Sequence, residues 1–464
     1  MRFRHGLLVV WVTALVVLAS AYAPSWLAAQ PLPEAATTSA ERPEAKVKNV
    51  IFFIGDGMGL SQRWIGALLL YGPEGKLAMD QMTVRGVMTN YSSDSLVTDS
   101  AAAATAMASG IKTYNGAIGV DVNEEPVETI LEAAERNDLA TGLVTTVYVN
   151  HATPAAFAAH VPSRREYNEI AAQMLTSGVD VLFGGGARYF IPEAEGGSRD
   201  DGRNLIAEAE EMGYTVVRTA DELLNIQPSL QRQVLGLFAD AAMAWELDRE
   251  TTEEPSLAQM TAVALEVLSK DEDGFFLMVE SGKVDWASHG QDAAATAWET
   301  IALDQAVEVA LSFARANPDT LVVVTADHET GGLGFGIGGE YFYDASLLRG
   351  ISASAEFMAS QLDEERMNIV EVIAEYAGIE DLTEEEIEQI RTAEGRFEPQ
   401  NTIAAIISVR AGIGWTTRGH TGTPVPITAS GPGAERFAGQ LDNTDLPKIM
   451  ADLLALGGFA PWAE

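Results

Sequence analysis

The chain has 464 residues, and its 67 acidic side chains against 29 basic ones give a formal net charge of −38. The apolar content of 47% suffices for a large buried core and excludes disorder, while the lack of cysteine excludes disulfide scaffolds, thiolate metal sites and a cysteine nucleophile. So acidic a chain is expected to repel nucleic acid, anionic membranes and also phosphorylated molecules.

Residues 1–29 have the order of features of a secretory signal peptide. Two arginines precede an apolar run over residues 7–19, and small residues follow where a signal peptidase could cut. A retained membrane anchor is the alternative, because the apolar run approaches the length that spans a bilayer. We expect cleavage, a tether over residues 30–47, and a periplasmic or secreted mature protein without a membrane segment.

From residue 48 onward, strand-like and helix-like segments alternate. A strand is expected at 425–430, where the chain returns to the core. Apolar runs of strand length lie at 47–54, 142–149, 179–183, 275–279 and 321–325. Because these runs are apolar throughout, they predict strands that are buried on both faces. The predicted fold is therefore α/β, a three-layer sandwich with a mainly parallel central sheet and helices on both faces.

Residues 334–402 differ in character from the chain around them. The segment is rich in glutamate, reads as helices and has few strand-like runs. It predicts a mostly helical acidic cap that is inserted into a catalytic domain of residues 48–464. We interpret its charges as the solvated faces of helices.

Polar residues that could carry chemistry follow the predicted strands, where ligands of such sheets bind. Asp56 follows the first strand in a glycine-rich turn, and His151 and Glu280 lie near the ends of two others. Each of these residues also has an ordinary structural explanation, such as a turn or a capping hydrogen bond. Their recurrence at strand ends is what indicates a site.

The few histidines lie beside carboxylates. Asp285 and His289 are four residues apart, so a helix that begins near Asp285 would place both side chains on one face. Asp327 and His328 directly follow a predicted strand, and His420 lies in a turn-rich loop. Imidazole and carboxylate without thiolate favour zinc in an open catalytic site, with magnesium at positions that offer only oxygen.

Ser100 begins an alanine-rich stretch of high helix propensity that ends at Gly110. A hydroxyl at this position meets unpaired backbone N–H groups at the positive end of a helix, where phosphate binds. The alternative is that Asp99 and Ser100 only cap the helix. A serine nucleophile needs activation, and since no histidine lies at triad spacing, a metal would have to provide it.

Six motifs together resemble the metal-dependent alkaline phosphatase family. In chain order they are GDGMG, TDSAAAAT with KTYNGAIGV, HATPAAFAAHVPSR, VESGKVDWASH, TADHETGG and GHTGTPVP. The resemblance covers almost everything from residue 48 onward. It implies a homodimeric phosphomonoesterase with two zinc ions and one magnesium ion, which hydrolyses small phosphate monoesters through a covalent phosphoserine intermediate.

The resemblance also implies a role for each site residue. Ser100 would be the nucleophile, and Arg164 would clamp two phosphoryl oxygens with its planar fork. The first zinc would be held by Asp285, His289 and His420. The second zinc would be held by Asp56, Asp327, His328 and the Ser100 oxygen. The magnesium would be held by Asp56, Thr153 and Glu280.

Two positions depart from the well-known enteric type of this family, which also has disulfides that this chain cannot form. His151 and Trp286 stand where that type has aspartate and lysine. We expect both side chains to contact the metal ligands without binding a metal themselves, although His151 could also be a direct ligand. We expect His160 to be structural.

Two other functions compete with this interpretation. A related sulfatase would have proline and then arginine shortly after the nucleophile, whereas four alanines follow Ser100; a phosphodiesterase or phosphonate hydrolase stays possible. A non-catalytic, secreted cation-binding protein would leave Ser100 and Arg164 unexplained.

The global charge does not exclude a phosphate substrate, because three divalent cations and Arg164 would make the site itself positive. We hypothesise that the remaining acidic surface is an adaptation to salt, which screens long-range repulsion. Activity and stability that fall steadily as salt is added from low concentration would contradict this hypothesis.

Overall fold

The computed structural model describes residues 47–228 and 232–459. The predicted signal peptide, and the predicted tether apart from its last residue, lie outside these ranges. The strands in the described residues are β1 (Asn49–Gly55), β2 (Val84–Thr89), β3 (Ala140–Tyr148), β4 (Val181–Gly185), β5 (Thr215–Val217), β6 (Val234–Leu237), β7 (Phe275–Ser281), β8 (Thr320–Thr325), β9 (Glu329–Thr330), β10 (Gly334–Phe335), β11 (Ile413–Gly414), β12 (His420–Thr421), β13 (Val425–Ser430) and β14 (Gly439–Asp442).

A ten-stranded sheet forms the centre of the molecule, in the order β14-β2-β13-β8-β1-β7-β3-β4-β6-β5. Neighbouring strands are parallel except at β13, which runs antiparallel to both β2 and β8. The central strands β1, β7 and β8 are buried along their whole length, as their unbroken apolar sequences predict. The prediction of an α/β fold with a mainly parallel sheet is confirmed.

Helices surround the sheet. Within the described ranges they are α1 (Leu60–Tyr71), α2 (Ser100–Ser109), α3 (Ile130–Arg136), α4 (Ala152–Ala158), α5 (Tyr167–Thr176), α6 (Leu205–Met212), α7 (Ala220–Leu224), α8 (Leu257–Leu268), α9 (Lys283–Gly290), α10 (Ala293–Ala316), α11 (Ala345–Gly350), α12 (Ala355–Ser360), α13 (Ile369–Ala377), α14 (Glu384–Thr392), α15 (Gln400–Arg410) and α16 (Asp445–Leu453). The central strand β7 contacts two pairs of helices, α8 with α10 and α3 with α4, and the two helices of each pair also contact each other. None of these helices has the length and apolar character that crossing a bilayer requires.

The segment 334–402, for which the sequence predicts a cap, contains α11 to α14. Its apolar side chains, among them Leu348 and Ile373, pack with Ile65 of α1 and Ile301 of α10 in a hydrophobic cluster distinct from the core around the sheet. Its acidic side chains are mostly exposed, notably Glu364, Glu365, Glu384, Glu385 and Glu388.

Glu386 is one of the few acidic side chains of this segment that are partly buried, and it gives a pH-dependent prediction. Arg410 donates two hydrogen bonds of 2.7 Å to the Glu386 carboxylate, which lower the pKa of Glu386 to about 2 from an ordinary value of 4.5. A depressed carboxyl pKa contributes stability above the ordinary value, and this contribution is lost as the pH falls towards 2. We expect Glu386→Gln to lower the free energy of unfolding by about 1 kcal/mol at pH 7, with the difference shrinking below pH 4.5.

Urea unfolding at several pH values measures this difference. Glu385→Gln is the matched control, because Glu385 is exposed in the same helical turn and contacts only Gln389, at 3.4 Å. A Glu386→Gln deficit that stayed constant down to pH 2.5 would show that Arg410 is not its source.

Candidate active site

The predicted site residues meet at the carboxyl ends of the central strands. Asp56 directly follows β1, Glu280 is the penultimate residue of β7, and Asp327 and His328 come just after β8. In the sheet register, Ile54 of β1 lies beside both Glu280 and Thr325, so the ends of the three parallel strands coincide. All four functional side chains are fully buried.

A first ligand group, which we call the first trio, consists of Asp285, His289 and His420. Helix α9 places Asp285 and His289 one turn apart, as their spacing predicts, with 3.3 Å between Asp285 Oδ2 and His289 Nε2. Strand β12 supplies His420, whose Nε2 lies 3.2 Å from His289 Nε2 and 3.6 Å from Asp285 Oδ1. Two imidazoles and one carboxylate are the protein ligands of an open zinc site.

A second group, the second trio, consists of Asp56, Asp327 and His328. His328 Nε2 lies 3.5 Å from Asp56 Oδ1 and 3.2 Å from Asp327 Oδ2. The hydroxyl of Ser100 is 3.2 Å from the same His328 nitrogen. Ser100, the predicted nucleophile, therefore lies next to the second trio.

A third group combines Asp56 with Glu280 and His151, whose potential ligand atoms lie within 4.8 Å of one another. Thr145 donates a 2.5 Å hydrogen bond to Glu280 Oε2 and so orients that carboxylate. Thr153, on the first turn of α4, is also buried. Oxygen ligands dominate this group.

Many polar atoms of these groups are buried without a hydrogen-bond partner. They are both carboxylate oxygens of Asp56, Oδ2 of Asp327, Oε1 of Glu280, Oγ1 of Thr153 and Nδ1 of His151. Buried polar atoms in proteins almost always have a partner, so this concentration fits bound cations. Burial and the neighbouring carboxylates also raise the pKa of Asp56 well above its ordinary value, and burial raises the pKa of Asp327 to about 6 and of Glu280 to about 7. A nearby positive charge would stabilise the ionised form of these buried carboxylates.

In all three histidines of the trios, Nε2 is the ring atom that lies close to the other residues of the group. Their Nδ1 atoms lie 2.5 Å from the Arg418 carbonyl for His289, 2.8 Å from the Thr98 carbonyl for His420, and 3.2 Å from the Thr330 hydroxyl for His328. Because each Nδ1–H has an acceptor, each Nε2 keeps its lone pair for a metal. These contacts set the tautomers that metal binding needs.

Helix α2 begins at Ser100 and ends before Gly110, which adopts the left-handed conformation with φ of 76°, and the sequence prediction for this helix is confirmed. Asp99 caps it by accepting a hydrogen bond from Ala102 N. The sequence predicts Asp99 only as a cap, and the structure shows that it has a second contact. Its other oxygen accepts a 3.0 Å hydrogen bond from Arg164 Nη1, so Asp99 holds Arg164 beside Ser100.

Arg164 also explains the state of His151. Arg164 Nη2 lies 3.1 Å from His151 Nε2, and because guanidinium can only donate, the imidazole proton must be on Nδ1. Burial and the charge of Arg164 lower the pKa of His151 to about 3, so the ring is neutral. A protonated Nδ1 is a hydrogen-bond donor, and this atom is buried without an acceptor among the described residues. That His151 does not itself bind a metal stays a prediction.

Trp286 and His160 lie outside the ligand groups. The half-buried Trp286 ring packs near His151, with 6.0 Å between ring centroids. His160 contacts the Gly119 carbonyl at 2.6 Å and Glu132 at 2.8 Å, which fits the structural role expected for it. Thr145 and Thr330 contact candidate metal ligands, and the sequence alone does not identify either threonine. The available signal for Thr330 was its position two residues after His328.

Comparisons with known proteins agree with this geometry. A sequence profile described as "Alkaline phosphatase" matches residues 47–456. The chain is similar to alkaline phosphatase 3 of Bacillus subtilis (strain 168), with 40% identity over 451 residues that cover 93% of this chain and 95% of the relative. Among solved structures it is similar to a cold-active alkaline phosphatase of the psychrophile Shewanella sp., with 38% identity, a TM-score of 0.78 and coverage of 88% and 99% of the two chains. It is also similar to Thermus thermophilus alkaline phosphatase, with 33% identity, a TM-score of 0.81 and coverage of 92% and 96%.

Proposed function

Since the chain belongs to the alkaline phosphatase family and is a hydrolase of phosphate monoesters, we propose that it works through a covalent phosphoserine at Ser100 beside two zinc ions and one magnesium ion. The observation that carries this proposal is the position of the Ser100 hydroxyl. It lies at the N-terminus of α2, 3.2 Å from the metal-facing nitrogen of His328 and next to the Asp99–Arg164 pair.

The ligand chemistry supports one ion for each group. We assign zinc to the first trio and zinc to the second trio with the Ser100 oxygen, because both contain imidazole. We assign magnesium to the oxygens of Asp56, Glu280 and Thr153. When bound, these cations supply Lewis-acid stabilisation of the phosphoryl charge and favour the ionised form of the nucleophile.

Ser100 and Arg164 have different roles in the proposed reaction. Ser100 attacks phosphorus in line with the leaving oxygen and becomes phosphorylated, and the alcohol departs. Arg164 uses two of its five N–H groups on Asp99 and His151, so the remaining ones are free to hold two phosphoryl oxygens. Water then attacks the phosphoserine, and inorganic phosphate leaves with Ser100 restored.

Mass spectrometry after an acid quench tests the covalent step. We expect the peptide that contains Ser100 to carry phosphate when the enzyme is mixed with a chromogenic phosphomonoester. A monoester, a diester and a sulfate ester assayed in parallel separate this function from those of related hydrolases. Rapid monoester turnover without any phosphorylated Ser100 peptide under acid quench would contradict the proposal.

Arg164 gives a prediction for substrate binding. Lysine keeps the positive charge but loses the planar fork, so Arg164→Lys gives up at least one hydrogen bond to a charged phosphoryl oxygen. We expect kcat/KM to fall by about tenfold or more, which corresponds to one such bond. Steady-state kinetics and competition by inorganic phosphate measure the change.

Arg165→Lys is the matched control, because Arg165 is the exposed neighbour of Arg164. Equal kinetics for the two variants would mean that Arg164 does not bind the phosphoryl group.

We also propose that the protein is a homodimer. Membership of the family and an exposed apolar patch on helix α1 support this proposal. Leu60, Trp64 and Tyr71 of this helix are exposed by 65%, 41% and 57% and form an apolar patch that a second copy would cover. Light scattering, which gives the mass in solution, tests this proposal, and a monomer mass would contradict it.

The proposed location is the periplasm or the extracellular space, on the support of the family and of the predicted signal peptide. N-terminal sequencing of the exported protein tests it, with cleavage near residue 29 as the expected result. An intact first residue would contradict signal cleavage.

A further inference from the structure

Thr330 contacts both trios at once. Its hydroxyl oxygen lies 2.5 Å from Asp285 Oδ1, in the first trio, and 3.2 Å from His328 Nδ1, in the second. The side chain is fully buried. A single hydroxyl therefore lies between ligands that would bind two different ions.

The direction of these hydrogen bonds follows from the chemistry of the groups. The Asp285 carboxylate can only accept, so the Thr330 hydroxyl donates its proton to Asp285. The hydroxyl oxygen then accepts from the Nδ1–H of His328, and the lone pair on His328 Nε2 is left for a metal. His289 and His420 obtain the same tautomer from backbone carbonyls, whereas His328 depends on a side chain.

The backbone holds Thr330 in this position. Its N–H donates to the Gly57 carbonyl at 3.2 Å, its own carbonyl accepts from Gln62 Nε2 at 2.7 Å, and it pairs with His420 between β9 and β12. A Cβ on Gly57 would lie 2.8 Å from the Thr330 hydroxyl oxygen. The absence of a side chain at Gly57, the residue after Asp56, therefore leaves room for this hydroxyl. The segments that carry Asp56 and His420 thus fix Thr330 as well.

We propose that Thr330 is a positioning residue that couples the two zinc sites, an inference that rests on the two-zinc assignment above. Its hydroxyl orients Asp285 for one ion and His328 for the other through one continuous hydrogen-bonded chain. Hydrogen bonds in such a chain strengthen one another, so loss of the hydroxyl loosens both ligands. Partners of metal ligands of this kind typically contribute tenfold to a hundredfold to metal affinity.

The test compares zinc binding in Thr330→Val, which removes the hydroxyl at nearly constant shape, with Thr330→Ser, which keeps it. Competition with a chromogenic chelator measures both zinc affinities, and mass spectrometry measures zinc content. We expect about tenfold to a hundredfold weaker binding at both sites for Thr330→Val, and recovery to within about threefold of the wild type for Thr330→Ser.

Thr261→Val is the matched control, because Thr261 is equally buried and donates only to a backbone carbonyl within α8. Thr330→Ala gives the same comparison if valine packs poorly. Unchanged zinc affinity in both hydroxyl-free variants, or a loss confined to one site, overturns the coupling. A wild-type protein that takes up fewer than two zinc ions in the same titration overturns the two-zinc assignment itself, and the coupling with it.

Discussion

Replacing Ser100 with alanine is expected to reduce kcat for phosphate monoesters by about a thousandfold or more, the scale seen when a hydrolase loses its nucleophile. The Ser100 hydroxyl lies at a helix N-terminus, 3.2 Å from His328 Nε2 and next in the chain to Asp99, which pairs with Arg164. Alanine keeps the helix, since Asp99 rather than Ser100 provides its cap. The loss should therefore appear in kcat while the fold stays unchanged, and the second trio should still bind zinc through its remaining carboxylate and imidazole ligands.

Ser109→Ala is the control for this experiment. Ser109 lies at the other end of the same helix, is equally buried and donates to the Thr105 carbonyl at 2.7 Å. We expect it to retain full turnover. Wild-type kcat in Ser100→Ala would show that the reaction does not pass through this serine.

Removal of the divalent cations is expected to abolish turnover and to lower the melting temperature by several degrees. Without cations, Asp56, Glu280 and Asp327 stay buried with unpartnered oxygens, which disfavours the folded state. By mass action, an ion present at a thousand times its dissociation constant stabilises the fold by about 4 kcal/mol. Calorimetry and chromogenic assays before and after dialysis against a chelator measure the two effects.

Two comparisons make this experiment specific. Chelator presaturated with zinc and magnesium should change neither quantity. Ser100→Ala should lose thermal stability on chelation as the wild type does, because it retains all carboxylate and imidazole ligands. A chelated protein with an unchanged melting temperature and full activity would exclude a metal-dependent site.

The sequence predicts the centre of the fold better than its edges. The central strands are unbroken apolar runs, and β13 occupies residues 425–430 as predicted. Strand β2, next to the edge strand β14, was not predicted, because it is exposed at alternate positions along its first four residues and contains Gly86 and Arg85. Strands β5 and β6 have three and four residues, too few for a periodic pattern.

In the candidate site, too, the sequence predicts some residues and not others. The candidate metal ligands follow strands or recur at helical spacing, so local patterns identify residues such as Asp285 and His289. Asp99 and Thr330 act through contacts with Arg164 and Asp285, which are distant in the sequence, and no local pattern records such contacts. A hydroxyl that orients a ligand looks the same in a sequence as one that caps a turn.

The order of the ligands along the chain has a consequence for biosynthesis. The second trio is complete once His328 has been translated, whereas the first trio needs His420, whose Nδ1 contacts the Thr98 carbonyl just before the nucleophile helix. Domains emerge from the ribosome from the N-terminus, so the nascent chain gains its two metal-binding groups at different times. The first trio, unlike the second, is therefore complete in the chain only after β12 has been made, and β13, which pairs with β8 and β2 in the central sheet, follows later still.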